Sequence, residues 1–245
     1  MKNIFSRVIL AILALTVFAV SAYAWSFVRN SVDINGIKVQ PTGGSDGISI
    51  SKSGENSFSA KVDASTASAV TLSAVSTYDL LNWYVPSNVY DVSAGGTYNG
   101  AYSAVETQNA SKYYYSESFN IKTADNLESL IVNDITVNTA GKDISKALRV
   151  GIKVSGDGNE KSYVFAPVSG YDDSYEAVSD TNGGTLPIVM KSEGSAIINS
   201  FVSGVVYTVT VFVWYEGQDS NYTSENLNDV ETLEIDIEFT GVAYN

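Results

Sequence analysis

The chemistry open to this chain is set first by what its 245 residues lack, which is every histidine and every cysteine. Ser-His-Asp and Cys-His nucleophilic catalysis cannot be assembled without them, nor can a zinc site built on H-E-x-x-H. What remains is oxygen chemistry, with 27 Asp and Glu against 14 Lys and Arg. Paired carboxylates hydrolyse glycosides in many enzymes. Here Asp172-Asp173 and the stripe Glu234, Asp236, Glu238 read as solvated surface, so no catalytic residue is assigned and no enzyme is expected. Loop carboxylates also suit calcium, which takes carboxylate and carbonyl oxygens. Asp172, Asp173 and Asp180 stand in one polar loop, and Asp219, Glu225 and Asp229 in another. Neither follows the D-x-[DN]-x-[DN]-G pattern, so calcium is the one cation with candidate ligands and no cofactor is required.

A second kind of chemistry is stacking. The stretch Tyr78–Tyr115 is rich in Gly, Ser and Asn, yet it holds Trp83, Tyr84, Tyr113, Tyr114 and Tyr115 among its aromatics. A long irregular insertion is usually functional or mobile. Aromatics clustered there could stack on a sugar or on a partner protein. The competing reading is that they cap an open end of the fold, in keeping with the tyrosines spread through the whole chain.

The elements that must position these groups are strands. Val205–Tyr215 reads V-V-Y-T-V-T-V-F-V-W-Y, with β-branched and aromatic residues throughout and no interior Gly or Pro. Alternation sets Val205, Tyr207, Val209, Val211, Val213 and Tyr215 on one face, with Val206, Thr208, Thr210, Phe212 and Trp214 on the other. The pattern predicts a central strand, covered along one face throughout and along the other near Trp214. Shorter strands are expected at Gly47–Ser51, Phe58–Val62, Val70–Val75, Ser118–Lys122, Leu130–Asn138 and Glu231–Phe239. Leu148–Val154 and Ser162–Phe165 flank Asp157-Gly158, a hairpin signal. A helical turn is expected at Asp143–Ala147, and Leu186–Met190 reads as an edge strand because Pro187 lacks a ladder donor. The fold class is all-β, an antiparallel β-sandwich of about ten strands with one long aromatic-rich insertion.

The first 24 residues read as a signal peptide, with Lys2 and Arg7 before the apolar Val8–Val20 and the small-x-small site Ala22-Tyr23-Ala24. Val8–Val28 is also about long enough for a retained anchor, which needs roughly 20 apolar residues. The cleavage site and the polar residues after it favour removal, and signal peptidase is then a partner during export, with no stable membrane span afterwards. Residues 25–245 form one expected β domain of 221 residues, with formal charge −15 once the leader's +2 is taken from −13. So acidic a chain has no affinity for nucleic acid or anionic lipid. A cysteine-free exported protein fits a Gram-positive source, and no L-P-x-T-G signal closes the chain.

Several segments together resemble the secreted camelysin and TasA-like proteins exported with a SipW-type signal peptide. They are the leader ending Ser21-Ala22-Tyr23-Ala24-Trp25, then Ile144–Val150, Tyr163–Pro167, Val211–Asp219 and the closing strand to Thr240-Gly241. The resemblance implies a jelly-roll-like sandwich and an extracellular role in biofilm matrix fibres or at the cell surface, with copies of itself or other matrix proteins as partners. In the fibre-forming relatives the mature N-terminus inserts as a donor strand into the next subunit. Here that segment is residues 25–40, with Trp25, Val32, Ile34, Ile37 and Val39 as the assembly residues. Relatives have been called metallopeptidases, and the missing histidines remove the ordinary zinc ligand set. Two functions remain open: a structural subunit assembling by strand exchange, and a monomeric surface binder of carbohydrate or protein using the Tyr78–Tyr115 aromatics. The N-terminal segment has its own rival reading, an ordinary first strand within its own sandwich.

Overall fold

The computed structural model describes residues 30–40, 47–62, 70–86, 102–138, 143–171, 189–190, 194–223 and 233–244. The leader with Ala22 and Ala24, and Trp25 after it, lie outside them. Strands in chain order are β1 (Asn30–Gln40), β2 (Ile48–Lys52), β3 (Lys61–Val62), β4 (Val70–Leu72), β5 (Ser76–Thr77), β6 (Trp83–Pro86) and β7 (Tyr102–Ala104). They continue with β8 (Tyr114–Thr123), β9 (Leu127–Asn138), β10 (Leu148–Gly156), β11 (Asn159–Phe165), β12 (Val189–Met190), β13 (Ala196–Phe201), β14 (Tyr207–Tyr215) and β15 (Leu233–Val242). Short 3₁₀ turns cover Thr107–Lys112 and Asp143–Ala147. No helix among the described residues is long and apolar enough to cross a membrane.

Two six-stranded sheets form a β-sandwich. In the first, β13, β9, β15 and β1 lie in that order, and β3 and β4 both pair with the far side of β1. The second runs β12, β11, β10, β14, β8, β2. The alternation in β14 is realised: Tyr207, Val209, Val211, Val213 and Tyr215 enter the main core, while Phe212 and Trp214 enter a second one on the opposite face. Neighbours β10 and β8 pair with β14 along its whole length, so it is the central strand the sequence predicts. Facing it across the main core are Leu130, Val132 and Ile135 of β9 and Ile235, Ile237 and Phe239 of β15. Asp157 and Gly158 both take positive φ, 50° and 73°, the two left-handed positions of a type I′ turn, which joins β10 to β11. At the sheet edge, β12 pairs in parallel with β11, and residues 186–188 of the expected strand lie outside the described residues.

The described part of the aromatic-rich stretch joins β5, just before it, in a three-stranded sheet of β5, β6 and β7 that lies against the outer face of the second large sheet. Leu80, Trp83 and Val75 are buried there against Phe212, Trp214 and Val164. Gly151 on β10 makes the approach feasible, since a Cβ at that position would lie 2.7 Å from Leu80 Cδ2. Leu80 itself has a φ of 56°, a costly conformation for a bulky residue, and its amide donates to Thr77 Oγ1 at 3.0 Å.

Candidate functional site

The segment expected to assemble is β1, and its residues explain how it pairs. Val32, Ile34, Ile37 and Val39 break strict alternation between 34 and 37, at Asn35-Gly36. The register with β15 shifts at that point: Val32 and Asp33 face Leu233 and Glu234, and Gly36 to Gln40 face Asp236 to Thr240. One extra residue in β1 makes a bulge. It brings Val32, Ile37 and Val39 opposite Leu233, Ile237 and Phe239, the apolar series of β15. Without it, Val32 and Ile37 would fall on opposite faces of the sheet. The pairing is parallel, whereas β15 pairs antiparallel with β9 on its other side. Thus β1 completes its own sheet next to the C-terminal strand, and the segment 25–29 that precedes it lies outside the described residues.

A buried polar junction at the end of β14 forms the second cluster, and motif reasoning did not find it. Arg149 stands in the apolar run of β10, 1% exposed, and its Nη2 donates to Asp219 Oδ2 at 2.6 Å. Its Nη1 donates to the carbonyls of Lys146 and Leu148 at 2.8 and 2.9 Å. The Tyr171 ring lies 5.2 Å from the guanidinium carbon. Glu216, also buried, accepts from Trp214 Nε1 at 3.2 Å, from the Gln218 amide at 3.1 Å and from the Ser76 hydroxyl. Burial pushes the Glu216 carboxyl up, against the pull of Ser76, Arg149, Trp214 and the Gln218 amide. The Tyr222 hydroxyl accepts from the Ala74 amide at 3.1 Å, and burial pushes it up to about 12. Tyr215, whose buried hydroxyl has no partner among the described residues, is pushed up further by burial and by Tyr222. These groups fasten the segment that leads into β5 (Ala74, Ser76) and β10 to one loop. A lone arginine in L-R-V-G-I was the available signal, because a charge in a buried strand must be paired.

The aromatics proposed for ligand stacking are divided among the cores. Trp83 is 5% exposed, stacks on Tyr114 at 3.9 Å between centroids, and meets Trp214 edge-on at 5.3 Å. Tyr115 points the other way, into the main core. Tyr113 and Tyr114 are half-buried against the second core, and half-buried Tyr84 stacks on Tyr78 at 5.9 Å. These five aromatics therefore make no common platform. Trp83 and Tyr115 are turned inward and offer no face to a sugar.

Among the calcium candidates, Asp172, Asp173, Asp180, Glu225 and Asp229 lie outside the described residues. Asp219 is described, and its carboxylate is engaged by Arg149 and by the Asn221 amide at 2.8 Å. No group of three or more acidic side chains among the described residues is placed to hold a metal ion. A cavity of about 250 Å³ opens between the β10–β11 turn and β13, with Val154, Ile197 and Tyr207 at its base and Lys161 and Asn199 at its rim. It brings no pair of carboxylates together. No protein-family model matches the chain, and no curated protein or solved structure matches it either.

Proposed function

We propose that this is an exported, non-enzymatic structural protein of the cell surface or extracellular matrix, and that copies assemble by exchanging β1. The observation that carries the reading is the seat of β1: a strand near the N-terminus, parallel to β15 and flanked on its far side, among the described residues, by β3 and β4. A terminal strand that completes its own sheet can complete the same sheet in a neighbour with every pair retained, which is the geometry of strand swapping. The leader-like first 24 residues and the resemblance to camelysin and TasA-like proteins support export and a matrix role. Absent His and Cys, and the engagement of buried Glu216 and Asp219 in structural contacts, support a non-enzymatic role.

Deleting residues 25–40 tests the reading. Exchange predicts a folded product that neither extends a fibre nor seeds one, and that binds an added peptide of sequence Trp25–Gln40. An unfolded product in a circular dichroism melt, or fibres still forming in micrographs, overturns it.

A further inference from the structure

We infer that the cavity between the β10–β11 turn and β13 binds a small organic monocarboxylate, seating its hydrocarbon body at the base and its charge at Lys161. The volume is about 250 Å³, below the roughly 300–1,000 Å³ of sites for drug-sized ligands, so the occupant is small. Local structure explains the space. The register of β13 against β9 slips by one residue between Ala196 and Ile198, so Ile197 is an extra residue and both isoleucines turn into the main core. A bulge of this kind bends its strand. Ser200, three residues on, holds a φ of 64°, a conformation that costs a serine energy and that gathers at ligand sites. Across the cavity, Gly156 lies against the Tyr207 ring, where a Cβ would lie 2.5 Å from its Cδ1.

The lining selects the ligand's chemistry. At the base, Val154, Ile197, Ile198 and Tyr207 are buried, and the Tyr207 hydroxyl already accepts from the Val202 amide at 3.4 Å. A sugar lodged there would leave hydroxyls without partners, whereas a hydrocarbon loses nothing. Charge enters from one residue. Lys161 pairs with Val154 in the β10–β11 register and shares the inner face of β11 with buried Tyr163 and Phe165. On the outer face of the same hairpin, Lys153 has Glu160 at 2.9 Å. Lys161 has no ion-pair partner among the described residues, and it stands at the rim of the cavity. A single ammonium above an apolar base fits one carboxylate on an apolar body. It cannot neutralise a phosphate dianion, and Asp157 in the lining repels a second negative charge. Exposed Asn199 and Ser200 complete the rim with an amide and a hydroxyl, both able to donate to carboxylate oxygens.

The full chain, expressed in an exporting host and purified, is titrated with hexanoate, with its uncharged isostere hexanamide, and with acetate, which lacks the tail. Backbone amide shifts are followed by NMR. Hexanoate should give saturable shifts at residues 154–161, 197–200 and 207, with a Kd of about 1 mM or below, as suits so small a ligand. Hexanamide and acetate should each bind at least about tenfold more weakly. Lys161→Met should weaken hexanoate about three- to tenfold and Lys161→Arg should restore it, while Asp157→Asn should strengthen it about two- to threefold. Both positions are exposed, and asparagine tolerates the positive φ at 157, so these variants keep the fold. No saturation by about 20 mM hexanoate, equal binding of hexanamide, or unchanged affinity in Lys161→Met overturns the inference. Shifts at the same amides on raising protein concentration alone would show a second copy as the occupant, and would overturn it too. None of these outcomes depends on β1 exchange.

Discussion

Replacing Gly151 with alanine tests whether the insertion is clamped onto the second sheet as described. The new Cβ would lie 2.7 and 3.1 Å from the two Leu80 methyls and 3.0 Å from Trp214 Cζ3. Neither neighbour can yield easily. The Leu80 backbone is held at positive φ by its bond to Thr77 Oγ1, and Trp214 Nε1 is tied to Glu216. Overpacking of this kind costs about 1–3 kcal/mol. Alanine recovers roughly 0.5–1 kcal/mol of the entropy that glycine loses in a strand. The net expectation is a loss of about 0.5–2 kcal/mol, or a few degrees in Tm at about 2–4 °C per kcal/mol for a domain of this size. Chemical denaturation followed by tryptophan fluorescence reads it, because Trp83 and Trp214 both sit at the contact. A double-mutant cycle with Leu80→Ala localises the effect: with the methyls gone, Gly151→Ala should cost nothing. A Gly151→Ala protein as stable as its parent, with no coupling to position 80, would refute the docking described here.

Asp219→Ala should cost about 3–5 kcal/mol in a urea melt, because Arg149 stays buried with its carboxylate partner removed. Trp214→Ala should cost a similar 3–5 kcal/mol through lost burial and a cavity in the second core, and an unchanged Tm would show that β14 is not central. Alkali should unfold the protein early. Tyr222, raised to about 12, and Tyr215, raised further, stay neutral in the fold while the unfolded chain ionises near 10. Their contribution is complete below pH 10 and falls as pH rises towards the folded values, by about 1.4 kcal/mol per pH unit for each tyrosine. Denaturation midpoints measured from pH 9 to 12 check this, and Tyr222→Phe should flatten the slope.

Periodicity made much of the sandwich legible in the sequence. The run at 205–215 could be read because both of its faces are apolar where both are covered, and Leu233–Phe239 because only one is. The break at Asn35-Gly36 was visible as a spacing of three between Ile34 and Ile37, and it became the bulge that keeps β1 in register. Strand β13 was not foreseen: Ala196–Phe201 is short, interrupted by polar Asn199 and Ser200, and bulged against β9. Alternation cannot show such a strand, because its pairing is irregular. The aromatic stretch stayed open for a different reason. Clustered aromatics look alike in sequence whether they face a ligand or a second core, and the burial of Trp83 and Leu80 against Trp214 and Gly151 depends on a contact between distant strands. The Arg149, Asp219 and Glu216 junction joins residues up to 70 positions apart, beyond the reach of any local spacing rule.

The most direct test of β1 exchange uses the chain's lack of cysteine. Positions 38 and 238 are register partners in neighbouring strands, within disulfide reach. A Lys38→Cys, Glu238→Cys double variant is allowed to assemble under reducing conditions, then oxidised and run on a denaturing, non-reducing gel. If β1 sits in its neighbour's sheet, the bonds join different chains, and a ladder of covalent multimers collapses to monomer on reduction. If assembled protein yields only internally bridged monomer, β1 has stayed in its own sheet and the account is wrong.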